Sequence, residues 1–259
     1  MPALPPQATR ATYRTTDLAK AAAAHPNTVR LYEEWGFLQP APRDDKGWRC
    51  YSREHLDQMM LARLALHGMW PGPRIRESAI GLVRIAAAGK LADARRKARA
   101  HLKLVRHERR RADEAAAYLE RWAGGKPSPR RTRPLTRQEA AATIDATVEQ
   151  VRNWERNGLV RSVLEPRTGC RTFGPAEVGR LRVIRALLRA GYSIMALRRM
   201  TRALDRGTTK GLSKVLDTPR AGEDVLTAFD RWLSALAMQE ERARKMMALL
   251  AARGRSRRL

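Results

Sequence analysis

Asn27, Thr28 and Arg30 follow directly on His25-Pro26. Proline suits the first position of a helix, where its missing N–H is no loss, so these three side chains fall in a helix's first turns. An amide there offers a donor and an acceptor together, and a guanidinium offers two parallel donors. That set suits the edge of a flat heterocycle or an anion. Glu149, Gln150, Arg152 and Asn153 stand in the corresponding place of a second such helix, opened by Thr147 with Gln150 three residues on as a capping box. The chemistry is recognition rather than catalysis. His25, His55, His67, His101 and His107 show no HExxH or comparable ligand spacing, and no glycine-rich phosphate loop is present. Two cysteines, Cys50 and Cys170, make neither a disulfide framework nor a four-ligand metal site, and read as free thiols in a reducing compartment. No enzyme, metal or cofactor is expected.

These side chains need a frame. Thr15 to Ala24 reads as a first helix capped by Thr15 or Thr16. The helix opened by Pro26 ends at Gly36, and the aromatic, β-prone run Gly47 to Tyr51 behind the Pro40–Gly47 turn predicts a small wing. Ser52 then caps a helix over Arg53 to Gly68, and Pro71-Gly72-Pro73 separates it from a shorter one at Arg74 to Ala88. The plan returns at a constant offset of 122 residues. Val29, Arg30, Tyr32, Glu33 and Gly36 meet Val151, Arg152, Trp154, Glu155 and Gly158; Gly47, Arg49 and Tyr51 meet Gly169, Arg171 and Phe173. Eight matched positions without a gap mark an internal duplication.

The run Thr-Val-Arg-x-Tyr-Glu-x-x-Gly-Phe-Leu, followed by Gly-Trp-Arg-x-Tyr and an acidic helix start, resembles the MerR family of bacterial transcription regulators. The second repeat is more diverged, with Trp154 for the aromatic and Phe173 for the wing tyrosine. The resemblance covers most of residues 13–205. It implies a winged helix-turn-helix domain followed by a long pairing helix. It also implies DNA contacts from Arg30, Tyr32 and the wing residues Arg49 and Tyr51, with Arg152 and Arg171 as counterparts. The tandem departs from the family's usual arrangement of one domain per chain in a dimer.

Composition agrees with a polyanionic partner. The chain of 259 residues carries 52 Lys plus Arg against 26 Asp plus Glu. Counting to Gly125, 23 basic and 13 acidic residues precede it and 29 and 13 follow, so both halves are basic. Neutralising phosphates with such residues releases counterions. No apolar run approaches the ~20 residues of a membrane span, and a cytoplasmic, nucleoid-associated protein is expected.

Leu91 to Trp122 contains no Pro or Gly and places Leu91, Ala98, Val105, Ala112 and Leu119 at a seven-residue step, with His101 and Glu108 interrupting the companion position. Leu226, Phe229, Leu233, Leu236, Ala243, Met247 and Leu250 form a second seam, broken at Glu240. Each repeat therefore ends in a long helix, and pairing the two antiparallel within one chain would reproduce a two-subunit arrangement in a monomer. The expected organisation is a disordered arm at 1–12, domain one at 13–90 and a long helix at 91–123. A basic linker follows at 124–133, then domain two at 134–205, an irregular connection at 206–222, a long helix at 223–253 and a basic tail at 254–259. The fold class is all-α with small β wings.

The leading expectation is sequence-specific binding of double-stranded promoter DNA by a single-chain pseudo-dimer, on an asymmetric site that it bends, with RNA polymerase as a further partner. An alternative from another class is a ligand- or drug-sequestering protein on the same scaffold. Arg106, Arg109, Arg110 and Arg111 form a dense basic cluster with two readings: a solvated helix face, or a site for a small anionic effector.

Overall fold

The computed structural model describes residues 12–68, 70–125, 133–166, 169–219 and 228–255. The expected arm up to residue 11, most of the linker, residues 220–227 (the end of the expected connection and the first residues of the expected last helix, Leu226 among them) and the last residues of the tail lie outside them. In chain order the elements begin with α1 (Thr15–Ala21), α2 (Pro26–Glu34), α3 (Arg53–Leu66), α4 (Pro73–Ala87) and α5 (Leu91–Gly124). They continue with β1 (Leu135–Thr136), α6 (Arg137–Thr143), α7 (Val148–Arg156), β2 (Val163–Leu164) and β3 (Arg171–Phe173). The last are α8 (Pro175–Arg189), α9 (Ile194–Asp205), α10 (Leu212–Asp217), a 3-10 turn at Ala228–Arg231, and α11 (Trp232–Arg255). The chain is all-α apart from its small wings. It divides into two compact units, residues 1–105 with 238–259, and residues 106–237.

The two repeats fold by the same local devices. His25 caps α2, its imidazole accepting from the Asn27 N–H at 3.2 Å, with Pro26 first in the helix. Thr147 and Gln150 close a reciprocal capping box on α7 at 3.1 and 3.0 Å. Both helices then stop at a glycine in the left-handed region, Gly36 at φ 72° and Gly158 at φ 69°. There the next N–H reaches back, Phe37 to the Tyr32 carbonyl at 2.7 Å and Leu159 to the Trp154 carbonyl at 2.9 Å.

The turn before each of these helices holds a less obvious match. Ala23 (φ 48°) and Asp145 (φ 53°) are the non-glycine residues with positive φ among those described, and they occupy equivalent positions. An L residue resists this conformation at a cost of roughly 1–2 kcal/mol. In both repeats an arginine from the helix after the wing donates to the strained residue's carbonyl: Arg63 to Ala23 at 3.0 Å and Arg185 to Asp145 at 2.8 Å. Those arginines are also equivalent in the repeat. The left-handed residue ends α1 at Ala21, earlier than the expected Ala24.

In the first unit Leu18, Val29, Tyr32, Leu38, Tyr51, Met59, Leu61 and Leu82 form the centre of the core. The same core takes in Ala94, Ala98 and Leu102 of α5 together with Ala243, Met246 and Leu250 of α11. Arg95 Nε donates to the Leu250 carbonyl at 3.1 Å, so the start of α5 lies beside the end of α11. Within this unit residues of both long helices share one core. Met246, rather than Met247, is the fully covered methionine. His101 does not break the seam; it is buried in it.

In the second unit β1, β3 and β2 form an antiparallel sheet in that order. Val163 pairs with Thr172 and Leu164 with Arg171. The first wing is thinner, closed by single bridges, Tyr13 with Tyr51 and Arg43 with Arg49.

Two further elements depart from expectation. The stretch 206–222 is not wholly irregular, because Gly211 in the left-handed region opens α10 and lets Leu212 and Leu216 bury one turn apart. Residues 223–227 of the last expected helix lie outside the described residues; from Ala228 the chain is a 3-10 turn, and α11 starts at Trp232, where Asp217 accepts the Leu233 N–H at 2.9 Å. Arg199 fixes both features. Fully buried on α9, it donates to the Leu216 and Asp230 carbonyls, each at 2.8 Å, joining α10 to the 3-10 turn.

Candidate nucleic-acid interface

The first turns of α2 present Asn27 and Arg30 to solvent and Thr28 half-buried. Arg30 Nη1 donates to Asn27 Oδ1 at 3.0 Å, which orients the guanidinium and leaves the amide's donors outward. Leu31, Trp35 and Trp48 are exposed beside them, Trp48 at 65% on the wing. Aromatic faces among basic side chains suit sugar edges and base methyls as well as phosphate.

Tyr32 does not join this face. It is 7% exposed and packs edge-to-face on Phe37, ring centres 5.7 Å apart. Tyr51 is wholly buried, its hydroxyl donating to Glu33 Oε2 at 3.2 Å; burial, and then the Glu33 charge, raise the phenol above its ordinary pKa. Both tyrosines, expected by resemblance at the contact surface, position other groups instead. The alternation that puts Val29 on the inner face of α2 carries Tyr32 with it.

The residue that organises the first wing is Glu33. Its carboxylate accepts from Arg49 Nε at 2.9 Å, from the Tyr51 hydroxyl, and from the Ala41 N–H at 3.1 Å. Arg49 is thereby held half-exposed at the wing's base. The wing tip is tied separately: Asp44 accepts from Arg14 at 2.7 Å and from the Trp48 N–H at 2.8 Å. Those bonds, Arg14 first, hold its carboxyl below the ordinary range.

In the second unit Glu155 takes the place of Glu33 with changed partners. It accepts from Arg137 Nε at 2.8 Å and from the Ser162 hydroxyl at 2.6 Å. Arg171 reaches that serine at 3.2 Å and otherwise faces solvent. On α7, Glu149 accepts from Arg152 at 3.3 Å and from Arg156 at 2.9 Å. Asn153 is bonded to Asn157, and Gln150 is engaged in the capping box. The second face is as exposed as the first, but its charges are largely turned on one another.

Glu33 and Glu155 are the positioning residues of this surface that sequence reasoning passed over. Their signal was present in the equal spacing of Glu-x-x-Gly in both repeats. Of the basic cluster on α5, Arg109 lies 3.8 Å from Asp113, and Arg111 bonds Glu108 at 3.1 Å and the Arg189 carbonyl. Arg106 and Arg110 are exposed. Among the described residues no group of three or more His, Cys, Asp or Glu is placed to hold a metal ion, and no helix is long and apolar enough to cross a membrane.

Comparison with known proteins matches the same frames. The family described as MerR HTH family regulatory protein matches residues 13–68 and 135–204, one span per repeat. The HTH-type transcriptional regulator CueR of Escherichia coli O6:H1 is 36% identical over 50 residues, covering 19% of this chain and 37% of that protein. The protein of the same name from Salmonella typhi is 36% identical over 50 residues, 19% of this chain and 36% of its own. That from Vibrio cholerae serotype O1 is 35% identical over 46 residues, 18% and 33% respectively. The match thus spans little more than a third of these relatives' length. No solved structure matches the chain. Two separate family matches fall on the two copies of one helix-turn-helix frame, and residues 13–68 and 135–204 are a tandem of two MerR-type helix-turn-helix domains.

Proposed function

We propose that this protein is a sequence-specific, double-stranded DNA-binding regulator of transcription that works as a single-chain pseudo-dimer. The observation that carries the reading is the duplicated frame: each repeat presents an exposed, polar first turn on the helix after its left-handed turn, beside a wing arginine. A helix placed this way reads base edges from its N-terminal turns and phosphates from its flanks. Asn27 and Arg30 supply the adenine- and guanine-compatible groups; Arg49 and Arg171 supply phosphate contacts. The basic excess of both halves adds the salt-dependent part of the affinity.

The finer reading is that the two readers face one asymmetric promoter site and bend it. The elastic cost of a bend over a site of this size is several kcal/mol, ~1–6 by smooth-rod reckoning, offset by contacts from both domains. RNA polymerase is the partner for which a bent promoter matters. Selection of genomic fragments by the purified chain, followed by competition of the selected duplex against its shuffled sequence at ~150 mM salt, tests the assignment. Preference for the selected duplex by ~10³-fold or more is expected. Equal competition by the shuffled duplex would remove sequence-specific binding.

A further inference from the structure

The second unit contains a cleft of about 1010 Å³ that the helix-turn-helix reading does not use. Its walls are the last turns of α5, the sheet residues Leu135 and Phe173, and the first turns of α8, closed by Leu204 and Thr209. Three aromatic side chains line it, Tyr118, Trp122 and Phe173, and three arginines, Arg121, Arg133 and Arg182. No carboxylate is among the lining residues. Arg133 is neutralised locally by two hydrogen bonds to Glu139, at 2.5 and 3.2 Å. Arg121 and Arg182 leave the cleft cationic, and both are exposed.

A second observation points the same way. Gly179 lies inside α8, where glycine costs about 1 kcal/mol against alanine. A Cβ there would sit 2.6 Å from the Trp122 indole nitrogen and 3.4 Å from its ring. The glycine therefore lets the indole bring its N–H edge up against α8, and any side chain there would push the ring from its place in the cleft wall. The helix thus gives up stability at a position where Trp122, a lining residue of the cleft, packs against it.

We propose that this cleft binds a planar aromatic carboxylate, its ring against Trp122 and Tyr118 and its carboxylate on Arg121 and Arg182. A flat apolar body fits the aromatic walls, and a single anionic end matches two guanidinium groups that fork naturally onto a carboxylate. The inference goes beyond the DNA-binding reading and stands without it, because binding is read directly on the DNA-free chain.

Isothermal titration of the full chain with 1-naphthoate, and with the neutral isostere 1-naphthylmethanol, tests it. The carboxylate is expected to bind at least tenfold tighter than the alcohol. Arg182→Gln and Arg121→Gln should each weaken it about tenfold, Gly179→Leu should abolish it, and Arg110→Gln, outside the cleft, should leave it unchanged. Thermal unfolding of each variant separates loss of the site from loss of the fold; Trp122→Phe, which keeps a flat wall, should retain most of the affinity if the fold is intact. Equal affinity for acid and alcohol, no binding of either, or equal loss in Arg110→Gln and Arg182→Gln would overturn the site.

Discussion

Glu33 is the side chain on which the first wing hangs, and its three bonds define what single substitutions there should do. Replacing it by Gln keeps the size but removes the charge that Arg49 and Tyr51 address. Hydrogen bonds to charged groups contribute ~1.5–3 kcal/mol, so urea unfolding of Glu33→Gln should show a loss in that range. Arg49→Ala separates two roles of the arginine. As a phosphate contact it should weaken binding to all duplexes alike and flatten the salt slope by about one. A loss of stability with an unchanged slope would make Arg49 a wing strut only. Arg30→Ala is expected to cost a further ~1–3 kcal/mol on the preferred sequence alone. The polar first turns of α2 and α7 were legible because residue type and helix position suffice to expose them. The tyrosines were misplaced because a motif gives a residue's identity and not which face it turns. Only the three-dimensional partners of Glu33 show that Tyr51 points inward.

Among the elements, the long helices were readable from sequence because a seven-residue apolar step has few structural solutions. What the step could not convey is the fate of its polar exceptions. His101 is 1% exposed, both ring nitrogens lack a partner among the described residues, and burial, then Lys97, pull its pKa from 6.5 down to about 4. A histidine with a depressed folded-state pKa binds its proton in the unfolded chain first. Stability is therefore full above about 6.5 and is lost as pH falls toward about 4. The loss amounts to roughly 3 kcal/mol at most. Thermal unfolding from pH 7 to pH 4 should show this fall, and His101→Leu should remove most of it and raise the melting temperature at pH 5. His55, whose pKa is lowered by burial, leaves a smaller residual slope of the same sign. A wild-type-like slope in His101→Leu would place the sensitivity elsewhere. The short α10 escaped notice for the opposite reason. Six residues between glycine and threonine carry no period; what holds them is Arg199, a buried charge that sequence rules place on the surface.

For the whole molecule, the duplication and the divergence of its copies carry different predictions. The apolar seam of α5 in the first unit is covered by α11 of the same chain, through Ala243, Met246 and Leu250. Sedimentation equilibrium at micromolar concentration should accordingly return one chain, 29.3 kDa, and a stable dimer mass would mean that helices also pair between chains. On the proposed reading, a monomer with two unlike readers is not expected to favour a palindrome. A homodimer presents the same surface twice, so its operator mirrors its two-fold symmetry. Here the first reader offers Asn27 and Arg30 in an outward arrangement, whereas the second turns Arg152 and Arg156 onto Glu149 and commits Gln150 and Asn153 to intrahelical bonds. Before Arg152 can reach a base its pairing with Glu149 must break, and a mismatch beneath the second reader is correspondingly tolerated. With each mismatched pair at a well-read position costing ~1–3 kcal/mol, scrambling the half-site under domain one should weaken binding by orders of magnitude more than scrambling the other. Glu149→Gln should narrow the gap by releasing Arg152 and removing a carboxylate that phosphate repels. Measured by competition on a selected site, equal losses from scrambling either half, or a perfect palindrome as the tightest duplex, would show that the two readers still recognise the same sequence.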